Sequence, residues 1–174
     1  MSQRTKVCVS LSLVGRYHTS SVRIRASRAK VNTMTLNPQR WKQRLQNLSK
    51  AQHRLEKACS QKTYNELELA GLVQTFEFSF ELTWKTLKDL LEFEGFDVAS
   101  PRSVIRTALE ARHLSSEQCE VLLEALMKRN LLSHTYDEKN VLEAQQLIVE
   151  RFSPVIGEIT DYLEVKSLEA KSGQ

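Results

Sequence analysis

The stretch Phe76-Glu-Phe-Ser-Phe-Glu-Leu-Thr-Trp84 decides the fold of this chain, because its apolar side chains cover most of the circumference of a helix. Upstream, Thr63 and Glu66 have the spacing of a capping box and predict where this helix begins. Downstream, Gly95 predicts that the helix ends at about Glu94. The sequence therefore predicts a long second helix that is buried on more than one side.

Four further helices are predicted on either side of this one from caps and apolar periodicity. Asn37 and Pro38 suit the start of the first helix, and Pro154 should kink the last one because it removes a backbone donor. The four run roughly over Pro38–Ser60, Pro101–Arg112, Ser115–Ser133 and Asp137–Leu163. We therefore predict an all-α fold, an up-and-down bundle of about five helices with short loops.

Length and composition predict one domain at residues 37–164, followed by a polar tail at residues 165–174. The chain has 174 residues with only 5 glycines and 3 prolines, which favours helix and argues against sandwiches and barrels. No run approaches the ~20 apolar residues of a membrane span, so no membrane association is predicted. The three cysteines are widely spaced, which argues against disulfides and a cysteine zinc site and favours a cytoplasmic location. They are Cys8, Cys59 and Cys119.

Residues 1–36 form a basic extension of different character. They contain seven basic residues and no acid, whereas residues 37–174 carry 18 basic and 21 acidic residues, a net charge of −3. The basic pI therefore does not indicate a nucleic-acid-binding surface on the domain. Three interpretations stay open: a misassigned start with Met34 as the true first residue, a disordered tail, or an organellar targeting peptide.

The most unusual polar cluster lies near the predicted end of the fourth helix, in Arg129-Asn-Leu-Leu-Ser-His134-Thr-Tyr136. Asn130 and His134 are four residues apart and share a helix face, with Arg129 beside them. Arginine binds phosphate oxygens through a planar fork, and histidine exchanges protons near neutral pH, so the cluster is typical of a phosphate-handling site. The alternative is that Arg129 and His134 only stabilise the helix C-terminus, where cations favour the helix dipole.

Two carboxylates of the second helix are candidates for a supporting role at this site. Glu77 and Glu81 are four residues apart within the apolar run, so at least one is expected to be buried or at an interface. A buried carboxylate needs a partner, and Arg129 or Lys85 would serve. No carboxylate cluster has metal-ligand spacing, so the sequence predicts neither a metal nor a cofactor.

Two further histidines and the aromatic residues of the second helix are assigned to the structure rather than to chemistry. His53 and His113 stand alone in polar surroundings and are predicted to lie on the surface. The aromatic residues of the second helix are predicted to fill the core rather than to stack on nucleic-acid bases, and they are Phe76, Phe78, Phe80 and Trp84.

Three linked motifs resemble one known family. The residues from Arg129 to Tyr136 match the RX4HXY pattern of HEPN-domain proteins of the HepT type. FEFSFELTWKTLK at Phe76–Lys88 and Ser-Pro-Arg-Ser-Val-Ile-Arg at Ser100–Arg106 resemble the nucleotidyltransferase substrate-binding branch of that family. The resemblance covers about Asn37–Leu163, nearly the whole predicted domain, and residues 1–36 have no counterpart in it.

The resemblance implies a homodimer, here predicted to form through the second and fourth helices, that pairs with an MntA-type nucleotidyltransferase antitoxin. Such a HepT-like toxin of a type VII toxin–antitoxin pair is a metal-independent endoribonuclease acting on RNA, silenced by AMP addition (AMPylation) to a motif tyrosine. Carried over, Arg129 and His134 are the catalytic pair, Asn130 supports them, and Tyr136 is the modification acceptor. The alternative is a non-catalytic nucleotide- or substrate-binding subunit of a two-component nucleotidyltransferase.

Overall fold

The computed structural model describes residues 38–132 and 138–172 of the chain. The chain divides into two units, residues 1–34 and residues 35–174, and every described residue belongs to the second. The three interpretations of the basic extension therefore concern residues outside the described part. His134 and Tyr136 also lie outside it.

Helices account for nearly all of the described residues, which contain no strand. In chain order they are α1 Pro38–Cys59, α2 Glu66–Phe93, α3 Pro101–Glu110, α4 Ser116–Leu132, α5 Glu138–Leu147 and α6 Ser153–Ser172, with a π-helical segment Ile148–Phe152 between the last two. Because α5, the π-helical segment and α6 run on without a break, they form one long helix. The predicted all-α bundle of five helices is confirmed.

The final helix is longer than the periodicity suggested. It was expected to end near Leu163, but α6 continues to Ser172 and includes most of the stretch assigned to a polar tail. That expectation was wrong because the apolar stripe ends at Leu163, while a helix needs no buried face to continue for a few turns. None of the described helices is long and apolar enough to cross a membrane.

Both ends of α2 follow local capping rules, although the N-cap is not the predicted one. Asn65 caps the helix: its side chain accepts a hydrogen bond from the Glu68 backbone, and the Glu68 carboxylate accepts one from the Asn65 backbone, both at 2.9 Å. The predicted Thr63 box was therefore wrong by two residues. At the other end Gly95 adopts φ of +95°, and the Phe96 amide bonds the Leu91 carbonyl at 2.9 Å. This Schellman turn confirms Gly95 as the stop.

Pro154 distorts the last helix through the π-helical segment that precedes it. A proline has no N–H to donate and its ring crowds the carbonyl four residues earlier, which belongs to Glu150. The helix widens over Ile148–Phe152, and the Ser153 amide donates to the Ile148 carbonyl five residues back. The predicted disturbance at Pro154 thus takes the form of a wider turn inside the helix.

The core of the bundle forms around α2. Phe76 is fully buried, stacks on Phe152 with ring centroids 5.3 Å apart, and lies 6.1 Å from the Phe80 ring. Other faces of α2 pack against α1 and α3, which agrees with its prediction as a helix buried on several sides.

The prediction that Phe78 fills the core was wrong, because its side chain is 52% exposed. Alternate residues of a helix point about 200° apart, so Phe76 and Phe78 face opposite ways.

A buried carboxylate on α2 forms ion pairs with two arginines of α1. The Asp89 side chain is 3% exposed and accepts a hydrogen bond from Arg44 Nε at 2.7 Å, while Arg40 Nε lies 3.4 Å from its other oxygen. A buried carboxylate without such partners would cost several kcal/mol. The two arginines of α1 thus compensate the charge that α2 brings into the interface.

Candidate functional site

The α4 C-terminus carries the described part of the site predicted from sequence. The side chains of Arg129, Glu77 and Glu81 are described, and Arg129 lies in the last turn of α4. Asn130 lies in the same turn, but its side chain is outside the described part, as are His134 and Tyr136. The structure therefore reports on Arg129 and the two glutamates, and the remaining assignments stay predictions.

Glu81 of α2 meets Arg129 of α4 across the helix interface. The Arg129 side chain is 36% exposed, and its Nη2 atom lies 3.8 Å from Glu81 Oε2. That same oxygen accepts a hydrogen bond from Trp84 Nε1 at 2.9 Å, and Glu81 Oε1 lies 2.8 Å from Lys85 Nζ. Arg129 and Lys85 are the two cations that sequence analysis named as possible partners. Glu81 therefore places a negative charge beside the Arg129 guanidinium.

The environment of Glu81 keeps its carboxyl group ionised. Partial burial is the largest single influence and raises its pKa, but hydrogen bonds from Lys85 and Trp84, together with the charges of Lys85 and Arg129, outweigh it. The pKa of Glu81 therefore lies below its ordinary value. A carboxylate that stays charged at neutral pH is suited to positioning a cation and unsuited to donating a proton. Glu77 is half-buried one turn earlier on α2.

Replacing Glu81 by glutamine is expected to lower the melting temperature at neutral pH and to have little effect in acid. A carboxyl with a lowered folded-state pKa contributes stability above its unfolded pKa, near 4.5, and loses it as the pH falls through the folded value. Partly exposed pairs are worth up to about 1 kcal/mol, or roughly 3–5 °C for a domain of this size. Circular dichroism recorded during heating measures the melting temperature of each variant at neutral and at acidic pH. The exposed Glu120→Gln on α4 is the control, and an equal deficit for Glu81→Gln at both pH values would contradict the role.

A second polar cluster surrounds His113, which was predicted to lie on the surface. That prediction was wrong, since His113 is 7% exposed. Its Nε2 atom lies 2.6 Å from Glu94 Oε2, and its Nδ1 atom lies 2.9 Å from the Tyr162 hydroxyl. Lys166 Nζ in turn lies 3.1 Å from Glu94 Oε1. The cluster joins the C-terminal end of α2, the loop before α4, and α6. His53, by contrast, is exposed as predicted.

A turn after α3 brings His113 into the interior. Arg112 adopts φ of +62°, the His113 amide bonds the Ala108 carbonyl at 2.8 Å, and the Arg112 amide bonds the Leu109 carbonyl at 3.0 Å. This is a Schellman turn with arginine where glycine is usual, and its next residue packs back onto the helix. This turn is difficult to predict from the sequence, because neither glycine nor asparagine stands at the left-handed position in Ala111-Arg112-His113.

Glu94 is ionised for the same kind of reason as Glu81. Burial, its largest influence, raises its pKa, but the hydrogen bonds and charges of His113 and Lys166 lower it further than burial raises it. The pKa of the Glu94 carboxyl therefore lies below its ordinary value. His113 thus faces a fixed negative charge on one ring nitrogen and a phenol on the other.

The described residues contain no group of three or more histidine, cysteine or acidic side chains arranged to hold a metal ion. Cys59 and Cys119 are both free thiols. Burial is the largest influence on both, and it raises the pKa of each thiol above its ordinary value. Neither thiol is activated as a nucleophile or ligand, so the polar chemistry of the described part lies with the Arg129 and His113 clusters.

The five-helix bundle is that of a HEPN-like class of helical protein. The chain belongs to the family described as nucleotidyltransferase substrate binding protein like, whose sequence model matches residues 43–165. This family is the branch indicated by the resemblance of the α2 and α3 motifs.

Among solved structures, the chain is similar to a crystal structure of a protein from Thermus thermophilus. The two are 29% identical in sequence with a TM-score of 0.63, and the match covers 67% of this chain and 98% of the other. A search of functionally curated proteins found no match.

Proposed function

We propose that this chain is the substrate-binding subunit of a two-component system whose other member is a nucleotidyltransferase. The observation that carries the proposal is the family match over residues 43–165, which extends from α1 into α6. The sequence contains no glycine-serine nucleotidyltransferase motif, which supports a division of labour in which a partner transfers the nucleotide. Of the two function classes considered above, this one agrees with the family description.

Two large apolar side chains are exposed on the helices that carry Glu81 and Arg129. Phe78 lies one turn before Glu81 on α2, Met127 lies two residues before Arg129 on α4, and both side chains are exposed. Large apolar side chains left in water favour association. The exposure of these two side chains supports the proposed homodimer through α2 and α4. Met127 faces away from Arg129, since residues two apart on a helix point about 200° apart.

The second candidate is a HepT-like endoribonuclease that the partner silences by adding AMP to Tyr136. The observation that favours it is the ion pair between Arg129 and Glu81, since a guanidinium kept near the motif can stabilise a phosphorane-like transition state. RNA transesterification requires a base at the 2′-hydroxyl and an acid at the leaving 5′-oxygen. One RX4HXY motif supplies one histidine, His134, and a homodimer would supply the second.

The test is a co-purification of the full chain with a nucleotidyltransferase from the same genome. We expect the two proteins to elute as one complex in size-exclusion chromatography and to remain together on dilution to micromolar concentration. The matched variants are Arg129→Ala and Arg151→Ala, because both arginines pair with a glutamate and Arg151 lies away from the motif. Separate elution of the wild-type chain and the nucleotidyltransferase would contradict the proposal.

A further inference from the structure

The net charge of the helical domain conceals a strongly uneven distribution of charge along the chain. Helix α1 carries six basic residues and a single acid, Glu56, which gives it a net charge of +5. Residues 60–174 carry 12 basic and 20 acidic residues, a net charge of −8. A positively charged helix is therefore part of a bundle whose other segments are negatively charged.

Three cations of α1 lie in one row on its solvent side. Lys50, Arg54 and Lys57 follow one another at steps of four and three residues, so they share a helix face, and all three are exposed. The exposed residues Gln43 and Asn47 continue the row toward the start of the helix. These five residues, here called the α1 basic face, extend over about 21 Å of helix.

The charges of this face are not neutralised within the described part of the chain. Lys50, Arg54 and Lys57 take part in none of its ion pairs. Glu56 belongs to another side of the helix, because its Oε1 atom accepts a hydrogen bond at 3.3 Å from the amide of Gln52, which is buried. The row of cations therefore faces solvent with its full charge.

The placement of these cations does not stabilise α1. Like charges three or four residues apart on a helix repel one another, and the α1 basic face contains no acid to offset this repulsion. The first turn of α1 also lacks the acidic residues that the helix dipole favours there. A row of charges that costs the helix stability is typical of a surface that binds a partner of opposite charge.

The composition of the α1 basic face favours one kind of partner. A helix that lies on a membrane inserts its apolar side chains, but those of α1, among them Trp41 and Leu45, are buried in the core. Protein interfaces draw most of their binding energy from aromatic and other large anchors, and the face has no aromatic or aliphatic side chain. Lysine, arginine, glutamine and asparagine all donate hydrogen bonds to phosphate oxygens.

We propose that the α1 basic face is a docking surface for the phosphate backbone of a nucleic acid strand. Lys50, Arg54 and Lys57 supply the charge, and Gln43 and Asn47 supply further hydrogen-bond donors along the same line. Because the face has no aromatic side chain on which bases could stack, the surface binds without regard to base sequence. It lies on α1, whereas Arg129 lies on α4, and it depends on neither of the two candidate functions.

The experiment measures the fluorescence anisotropy of a labelled single-stranded DNA of roughly 20 nucleotides and mixed sequence, titrated with the full chain. DNA is used because it lacks the 2′-hydroxyl that RNA transesterification requires. For wild type, the logarithm of the affinity should fall linearly with the logarithm of the salt concentration between roughly 0.05 and 0.2 M. The variant Lys50→Gln/Arg54→Gln should reduce the magnitude of this slope by about 1.4 and weaken binding roughly tenfold at the lower salt concentration.

The matched control is Arg102→Gln/Arg106→Gln, which removes two exposed cations that are also four residues apart on a helix, α3. It should leave the affinity within about twofold of wild type, because these cations are not part of the face. Lys57→Gln alone should lower the magnitude of the slope by about 0.7. Circular dichroism and the melting temperature, recorded for every variant, should stay at or above the wild-type values because only like-charge repulsion is removed.

Three outcomes would overturn the inference. The first is a wild-type chain that does not bind the oligonucleotide at the lowest salt concentration. The second is an equal loss of affinity in the α1 and α3 variants, or no loss in either, since binding would then depend on total charge or on other cations. The third is binding to phosphatidylserine vesicles in place of the oligonucleotide, which would assign the face to a membrane. Failure of the nucleotidyltransferase to bind would contradict the proposed function and leave this inference intact.

Discussion

Alanine in place of His134 is expected to abolish the RNA cleavage that the ribonuclease candidate proposes for this chain, and to relieve any growth arrest caused by its expression. Acid–base groups contribute roughly 100- to 10,000-fold to such reactions, so the loss should be plain in a gel assay with total RNA. Arg129→Ala should have a similar effect, because it removes the charge that stabilises the transition state. In the structure, the Arg129 guanidinium lies 3.8 Å from the Glu81 carboxylate, which favours keeping that charge near the motif.

Controls for this prediction come from the same chain. His53→Ala changes an exposed histidine, and Arg151→Ala breaks a different arginine–glutamate pair, so neither should alter cleavage. Tyr136→Phe should leave cleavage intact but prevent silencing by the partner, since it lacks the hydroxyl that accepts AMP. Cleavage should also resist EDTA. Undiminished cleavage by the His134→Ala variant would refute the catalytic assignment and leave substrate binding as the function.

The oligomeric state decides whether a composite site exists. Sedimentation of the full chain is expected to give twice the monomer mass, because the large apolar side chains of Phe78 on α2 and Met127 on α4 are exposed in the single chain. A clean monomer at micromolar concentration would remove the second histidine and, with it, the ribonuclease mechanism.

The largest effect on stability is expected from Phe76→Ala. Phe76 is fully buried and contacts Phe80 and Phe152, so truncation removes an aromatic ring from a place where neighbouring side chains cannot easily collapse. Large-to-small substitutions of this kind cost about 3–5 kcal/mol. The melting temperature should fall by roughly 10–20 °C, as measured by circular dichroism.

Phe78→Ala is the matched control, because it removes the same side chain two residues away on the same helix. Its ring is exposed in the single chain, so the change should alter the monomer stability by less than about 0.5 kcal/mol. If Phe78→Ala destabilised the protein as much as Phe76→Ala, Phe78 would have to be buried, and the dimer interface would be the place to look for it.

Local patterns in the sequence were sufficient for the helices, their order and most of their ends. Gly95 ends α2 because a left-handed residue is needed there, and the apolar stripe of α1 lies where its periodicity placed it. The Arg129 motif and its two candidate anions could also be found from spacing, because residues four apart on a helix share a face. These features depend on neighbours within a few residues.

Tertiary packing decided which polar groups are buried and with whom. Nothing near Asp89 in the sequence reveals that Arg44 of α1 lies 2.7 Å from it, and nothing near His113 reveals Glu94 or Tyr162. These partners are 19 to 49 residues away and meet only when the helices pack. A polar side chain is stable in the interior when a distant partner satisfies it, so its burial depends on the whole bundle and not on its own segment.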